Sequence, residues 1–142
     1  MDRITNITEL VSVLPDIVKL YGKLTNKWNN DAPVEEFTKD LIANFSDQSY
    51  YYCRKAGEEL QYFLAAFPEK GKSSVFCWLF YIHPRLKDFT HELLREAIED
   101  TRRDGFEKIH FTTIRLTSSY KRWAAKIGAK PRAIIYEIDI NG

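Results

Sequence analysis

The residues from Val75 to Ile82 (Val-Phe-Cys-Trp-Leu-Phe-Tyr-Ile) are apolar without a break, and the run stops at His83-Pro84. A strand with no polar alternation has no face to give to water, so it belongs near the middle of a sheet, covered on both sides. The chain beyond this run alternates between helix and strand. After Pro84 a helix is expected, with Phe89, Leu93, Ala97, Ile98 and Thr101 on one face and Gly105 marking its end. Ile109 to Leu116 reads as a strand. Thr117 or Ser118 caps a second helix that carries Tyr120, Trp123, Ala124 and Ile127 and ends at Gly128. Ile134, Tyr136, Ile138 and Ile140 alternate as a last strand. Ser73 to Asn141 is thus expected to be strand–turn–helix–strand–helix–strand, with parallel neighbours and a right-handed crossover.

The first half reads differently. Leu10, Val13, Leu14, Ile17, Val18, Tyr21 and Leu24 share a helical face, with Pro15 either kinking that helix or marking its first turn. Asn29 to Pro33 is a polar break, with Asp31 as a cap for a second helix carrying Val34, Phe37, Leu41, Ile42 and Phe45. Ser49 to Arg54 is extended and aromatic, and its three successive tyrosines should send at least one ring to the substrate side of the sheet. Lys55 to Glu59 forms a hairpin turn, Leu60 to Phe67 a strand, and Pro68 to Lys72 a second turn. The fold class is α/β, a mixed sheet with helices on its faces. A length of 142 residues suits one domain with a real core.

Several function classes fall away. Lys plus Arg is 21 against 20 for Asp plus Glu, so no net charge draws the chain to nucleic acid or acidic membranes. The longest apolar run is too short to span a bilayer. Polar residues within the first nine positions argue against a signal peptide, so a cytoplasmic protein is expected. Cys53 and Cys77 lie in apolar runs without paired spacing, and His91 and His110 have no partner at ligand spacing; no metal is expected.

The turn from Ile82 to Thr90 is the expected ligand site. Sheets of this kind bind ligands where a strand ends and a helix begins. The unpaired amides and dipole of a helix start suit a phosphate, and Arg85 and Lys87 add positive charge. Ile82-His83-Pro84, then Arg85-Leu86-Lys87-Asp88-Phe89-Thr90 and His91-Glu92-Leu93-Leu94, resembles the acyl-CoA-binding motif of the GNAT acyltransferases. Ser119 to Ala129 looks like that family's later helix, which usually ends in Lys-Leu-Gly-Phe. The order of elements is similar over nearly the whole chain. The resemblance implies an acyl-CoA-dependent N-acetyltransferase in which an amine, on a small molecule or a protein, attacks the thioester directly. It implies that Ile82, Arg85, Leu86, Lys87, Asp88, Phe89 and Thr90 hold the cofactor, in a gap where the strand before the turn splays from the next. Residues 73–142 would form the acyl-CoA half and residues 1–72 the acceptor side.

The motif also departs from the family. Asp88 and Thr90 stand where glycine, or glycine or alanine, is expected, with Asp88 a natural helix cap. The usual proton-donating tyrosine maps to Ala124, and Tyr120 stands one turn earlier as a substitute. His83 is a second catalytic candidate because imidazole titrates near neutrality. Glu58 and Glu59 are the nearest carboxylates for a base. Lys121, Arg122, Lys126 and Lys130 form a modest basic patch that could meet the 3′-phosphate of coenzyme A. The alternative is a chain that keeps the fold but has lost the chemistry. Such a protein would bind partners or assemble, as a homo-oligomer or as an accessory virion protein similar to those of tailed bacteriophages.

Overall fold

A computed structural model describes residues 2–28, 34–112, 127–128, 130–132 and 135–141. The elements are β1 (Asp2–Arg3), α1 (Ile7–Trp28), α2 (Val34–Ala43), β2 (Tyr50–Ala56), β3 (Glu59–Pro68) and β4 (Ser74–Ile82). A six-residue 3-10 segment (Pro84–Phe89), α3 (Thr90–Arg103), β5 (Lys108–Thr112), β6 (Lys130–Arg132) and β7 (Ile135–Asp139) complete the order. Among the described residues the strands form one seven-stranded sheet, in the order β1-β2-β3-β4-β5-β7-β6. Strands β1 to β4 are antiparallel, β4 and β5 run parallel, and β7 is antiparallel to both β5 and β6.

The mixed α/β expectation holds, and β4 is the central strand. Two details differ from the expectation. Only β4-α3-β5 is a parallel crossover unit; the last strand returns antiparallel to β5. That last strand is also one arm of a hairpin, because β6 pairs with it through Pro131 opposite Tyr136. A proline has no amide hydrogen for a ladder, which suits it to an edge. The second expected helix, with its cap at Thr117 or Ser118, and the Asp31 cap both lie outside the described residues. No helix among the described residues is long and apolar enough to cross a membrane.

Alternation on β2 divides the core in two. Tyr50 and Tyr52 face α3 and pack with Leu64, Ala66, Val75, Cys77, Leu94, Ala97, Ile109 and Ile138. Tyr51 and Cys53 face α1 and α2 and pack with Leu10, Leu14, Ile17, Phe37, Leu41, Phe63 and Ala65. None of the three tyrosines reaches a ligand-accessible surface. Each is buried with its hydroxyl engaged, Tyr50 on Asp104 (2.6 Å), Tyr51 on the Leu41 carbonyl (2.8 Å) and Tyr52 on Asp100 (2.6 Å). Asp100 is tolerated in this interior because Tyr52 and Arg103 both donate to it.

The helix faces need similar correction. Helix α1 begins at Ile7, where Asn6 accepts the Glu9 amide (2.9 Å) and Glu9 returns to the Thr5 amide (2.9 Å). This reciprocal cap resembles a capping box, and it leaves Pro15 inside the helix rather than at its start. On α2, Phe37 and Leu41 are buried but Ile42 is exposed. On α3 the buried face is Thr90, Leu94, Ala97, Asp100 and Thr101. Leu93 and Ile98 sit at its margin, and Phe89 precedes the helix and is 49% exposed.

At the start of β4 and β5, His110 bridges two carboxylates, with Nδ1 on Glu69 (2.6 Å) and Nε2 on Glu137 (2.8 Å). Burial pushes the Glu69 carboxyl up, but its bond to His110 and the charges of His110 and Lys72 outweigh that, so it lies below the ordinary value. The lowered value means that Glu69 stabilises the fold fully above the unfolded carboxyl value of about 4.3 and loses that contribution as pH falls through the folded value. Urea unfolding of Glu69→Gln should therefore show a shallower loss of stability below about pH 4.3 than the parent chain. Equal acid slopes would exclude this role.

Candidate functional site

The site is built around an irregularity in β4. Ala66 pairs with Cys77 and Ala65 pairs with Leu79, which leaves Trp78 as an extra residue. Such a bulge bends a strand and changes which face its side chains meet. Before it, Val75 and Cys77 face α3; after it, Leu79 and Tyr81 join Trp78 on the α1–α2 side. Trp78 packs against Phe37 of α2, with ring centroids 5.5 Å apart.

Among the described residues the parallel ladder to β5 runs from Ser74 opposite Lys108 to Cys77 opposite Phe111, and β4 continues to Ile82. Residues 78–82 are only partly buried. The last of these described pairs falls beside the bulge.

Beyond Ile82 the chain does not enter an α-helix at Pro84. It makes the 3-10 segment first, and α3 starts six residues later than the proline suggests. His83 is the reason in part. Its Nδ1 accepts the Arg85 amide (3.1 Å) and its carbonyl accepts the Leu86 amide (2.8 Å), so the first amides of the turn are bonded locally. The Thr90 amide and hydroxyl both go to the Lys87 carbonyl, the latter at 2.6 Å, and Thr90 is buried. Asp88 is exposed and does not cap α3, whose N-cap position is Phe89 with no side-chain bond. Leu86 is half-buried, and Lys87 is exposed.

The antiparallel register of β3 and β4 then closes a cluster. Tyr62 lies opposite Ile82, and the His83 amide donates to the Gln61 carbonyl (2.7 Å). Continuing that register brings position 85 opposite position 59. Glu59, at the start of β3, accepts from the Arg85 guanidinium and lies 3.5 Å from His83 Nε2. The two-residue connection Gly57-Glu58, with Gly57 at φ +62°, sets where β3 begins and so fixes this meeting.

Of the residues singled out in the sequence, Ile82, His83, Arg85, Leu86, Lys87, Asp88, Phe89 and Thr90 are contiguous at this end of β4, and Glu59 joins them. Glu58 sits at the hairpin tip and is exposed. Tyr120, Ala124 and the basic residues Lys121, Arg122 and Lys126 lie outside the described residues. Among the described residues no group of three His, Cys, Asp or Glu side chains is arranged to hold a metal ion. The pairing of Glu59 with Arg85 was not expected from the sequence, although a two-residue turn at Gly57 and the register it imposes were the signal for it.

No sequence-family profile matches the chain. No curated protein matches it either. Solved structures do. The chain is similar to an acetyltransferase of the GNAT family from Staphylococcus aureus Mu50, with a TM-score of 0.73, 9% identity and 98% of each chain covered. It is similar to an aminoglycoside 6′-acetyltransferase type Ii, with a TM-score of 0.70 and 16% identity over 99% of this chain and 96% of that one. A third is the PaiA N-acetyltransferase of Thermoplasma acidophilum in complex with coenzyme A, with a TM-score of 0.60 and 15% identity over 91% and 94%.

Proposed function

We propose that this chain, which has the fold of the GNAT acetyltransferases, is an acyl-CoA-dependent N-acyltransferase. The observation that carries the reading is the bulge of β4 at Trp78, from which the strand leads straight to the cationic turn at Arg85 and Lys87. A pantetheine arm laid along residues 78–82 would bring the thioester to the bulge and the phosphates to the turn. The coenzyme A held by a protein of the same fold supports that cofactor.

In this reading Ile82, Arg85, Leu86, Lys87, Asp88, Phe89 and Thr90 hold the acyl donor, and residues 1–72 provide the acceptor side. An amine nitrogen attacks the thioester carbonyl and the coenzyme A thiolate leaves. A β4 amide at the bulge, where the thioester lies, polarises the carbonyl oxygen. The protein's main contribution is positioning, which can supply roughly 7–11 kcal/mol. Tyr120 is the proposed donor of a proton to the departing thiolate. His83 has a smaller part in proton transfer, because its Nδ1 lone pair already holds the Arg85 amide.

Acetyl-CoA at about 100 times its dissociation constant should stabilise the protein by about 2.7 kcal/mol. A thermal shift of several degrees is then expected. No shift with millimolar acetyl-CoA or with longer acyl-CoAs would remove the acyltransferase reading.

A further inference from the structure

The Glu59 carboxylate occupies a seat built for an anion. Its Oε1 takes the Arg85 guanidinium and lies 3.5 Å from His83 Nε2. Because His83 Nδ1 accepts a backbone N–H, the proton of the neutral ring is on Nε2, facing that same oxygen. Two donors from the turn therefore converge on one carboxylate oxygen, supplied by the opposite strand. Glu59 and Arg85 are both substantially exposed, at 47% and 72% of their side-chain surface, so a dissolved anion can reach and compete for the site.

We infer that Glu59 is an intramolecular competitor for the Arg85 and His83 donors, which a phosphate of the acyl donor displaces. The inference rests on the acyltransferase reading and assigns this cluster a part in it. A guanidinium prefers the diphosphate of the donor, which carries two charges, to a single carboxylate when both can reach it, since charge-assisted bonds strengthen with the acceptor's charge. Displacement frees Glu59 only once the donor is bound. The hairpin end of β3 and the donor turn are thus coupled through one carboxylate.

The test is Glu59→Gln, measured by titration calorimetry with coenzyme A and, separately, with pantetheine, which has no phosphate. Glu59→Gln should bind coenzyme A about five- to tenfold more tightly at low ionic strength, and pantetheine no differently. The gain should shrink as salt rises, because exposed charges are screened within about 10 Å at 0.1 M. Glu59→Asp keeps the charge but shortens its reach, and should fall between the two; it also serves if the glutamine variant shows no cooperative unfolding. Unchanged or weaker coenzyme A binding by both variants, with the parent chain binding normally, overturns the competitor role. An equal gain for pantetheine overturns it too, because the effect would not run through the phosphate. If neither parent nor variants bind coenzyme A, the acyltransferase reading fails first and takes this inference with it.

Discussion

Tyr51→Ala should destabilise the protein by about 3–5 kcal/mol, the cost of emptying a buried aromatic site that cannot fully collapse. The ring is inaccessible to solvent and meets Phe45 and Phe63 edge-on, at 5.2 and 6.1 Å between centroids. Its hydroxyl adds a second effect. Leu41 lies in the last turn of α2, where carbonyls lack a helical partner, and that helix has no basic residue in its final turn to compensate. Tyr51 donates to that carbonyl from the sheet, so one side chain joins β2 to the end of α2. Domains are stable by only about 5–15 kcal/mol, so the alanine variant loses about a fifth or more of that margin. Tyr51→Phe keeps the ring and should cost about 1 kcal/mol. Urea unfolding of both variants separates the two contributions. Similar losses for alanine and phenylalanine would mean that the hydroxyl, not the packing, dominates.

Deleting Trp78 should lower coenzyme A affinity by about tenfold or more, equivalent to about 1.4 kcal/mol, while the chain still unfolds cooperatively. The deletion removes the residue that has no partner on β3, so Cys77 and Leu79 become neighbours in a regular ladder. Leu79 and Tyr81 keep their side of the sheet, because the bulge holds Trp78 and Leu79 on the same face. The straightened β4 loses the bend at Trp78 along which the proposed donor lies, and its path to the turn at Arg85 is one residue shorter. Trp78→Ala removes the same ring but keeps the extra residue. It should bind coenzyme A more tightly than the deletion does. Equal losses in the two variants would assign the effect to the indole and its contact with Phe37 rather than to the backbone.

These two residues also mark what sequence patterning can and cannot reveal. The order of the elements was legible because Val75 to Ile82 could only be a covered strand and the helices after it keep a regular spacing. The bulge was not, because every residue of that run is apolar and a change of face leaves no trace in hydrophobicity. The 3-10 start of α3 was hidden for a related reason: Pro84 announces a helix, whereas His83 decides what kind by bonding two of the next amides itself. The α3 face was displaced toward Thr90 and Leu94 because Asp100, polar in sequence, is buried by a partner on β2. For the candidate site, the cationic turn could be read locally. Glu58 and Glu59 could be named as the nearest carboxylates, but the pairing of Glu59 with Arg85 could not, since the two meet only through the register of the sheet.

The two ends of the sheet have a bearing on behaviour at high concentration. One end is the two-residue β1, beside which β2 presents Arg54 and Lys55; the other is the three-residue β6 with Pro131 at its centre. Short strands, charges and a missing amide hydrogen are the features that stop a sheet from recruiting strands of neighbouring molecules. Among the described residues both borders of the sheet thus carry features that oppose edge pairing, and the aromatic-rich strands lie between them.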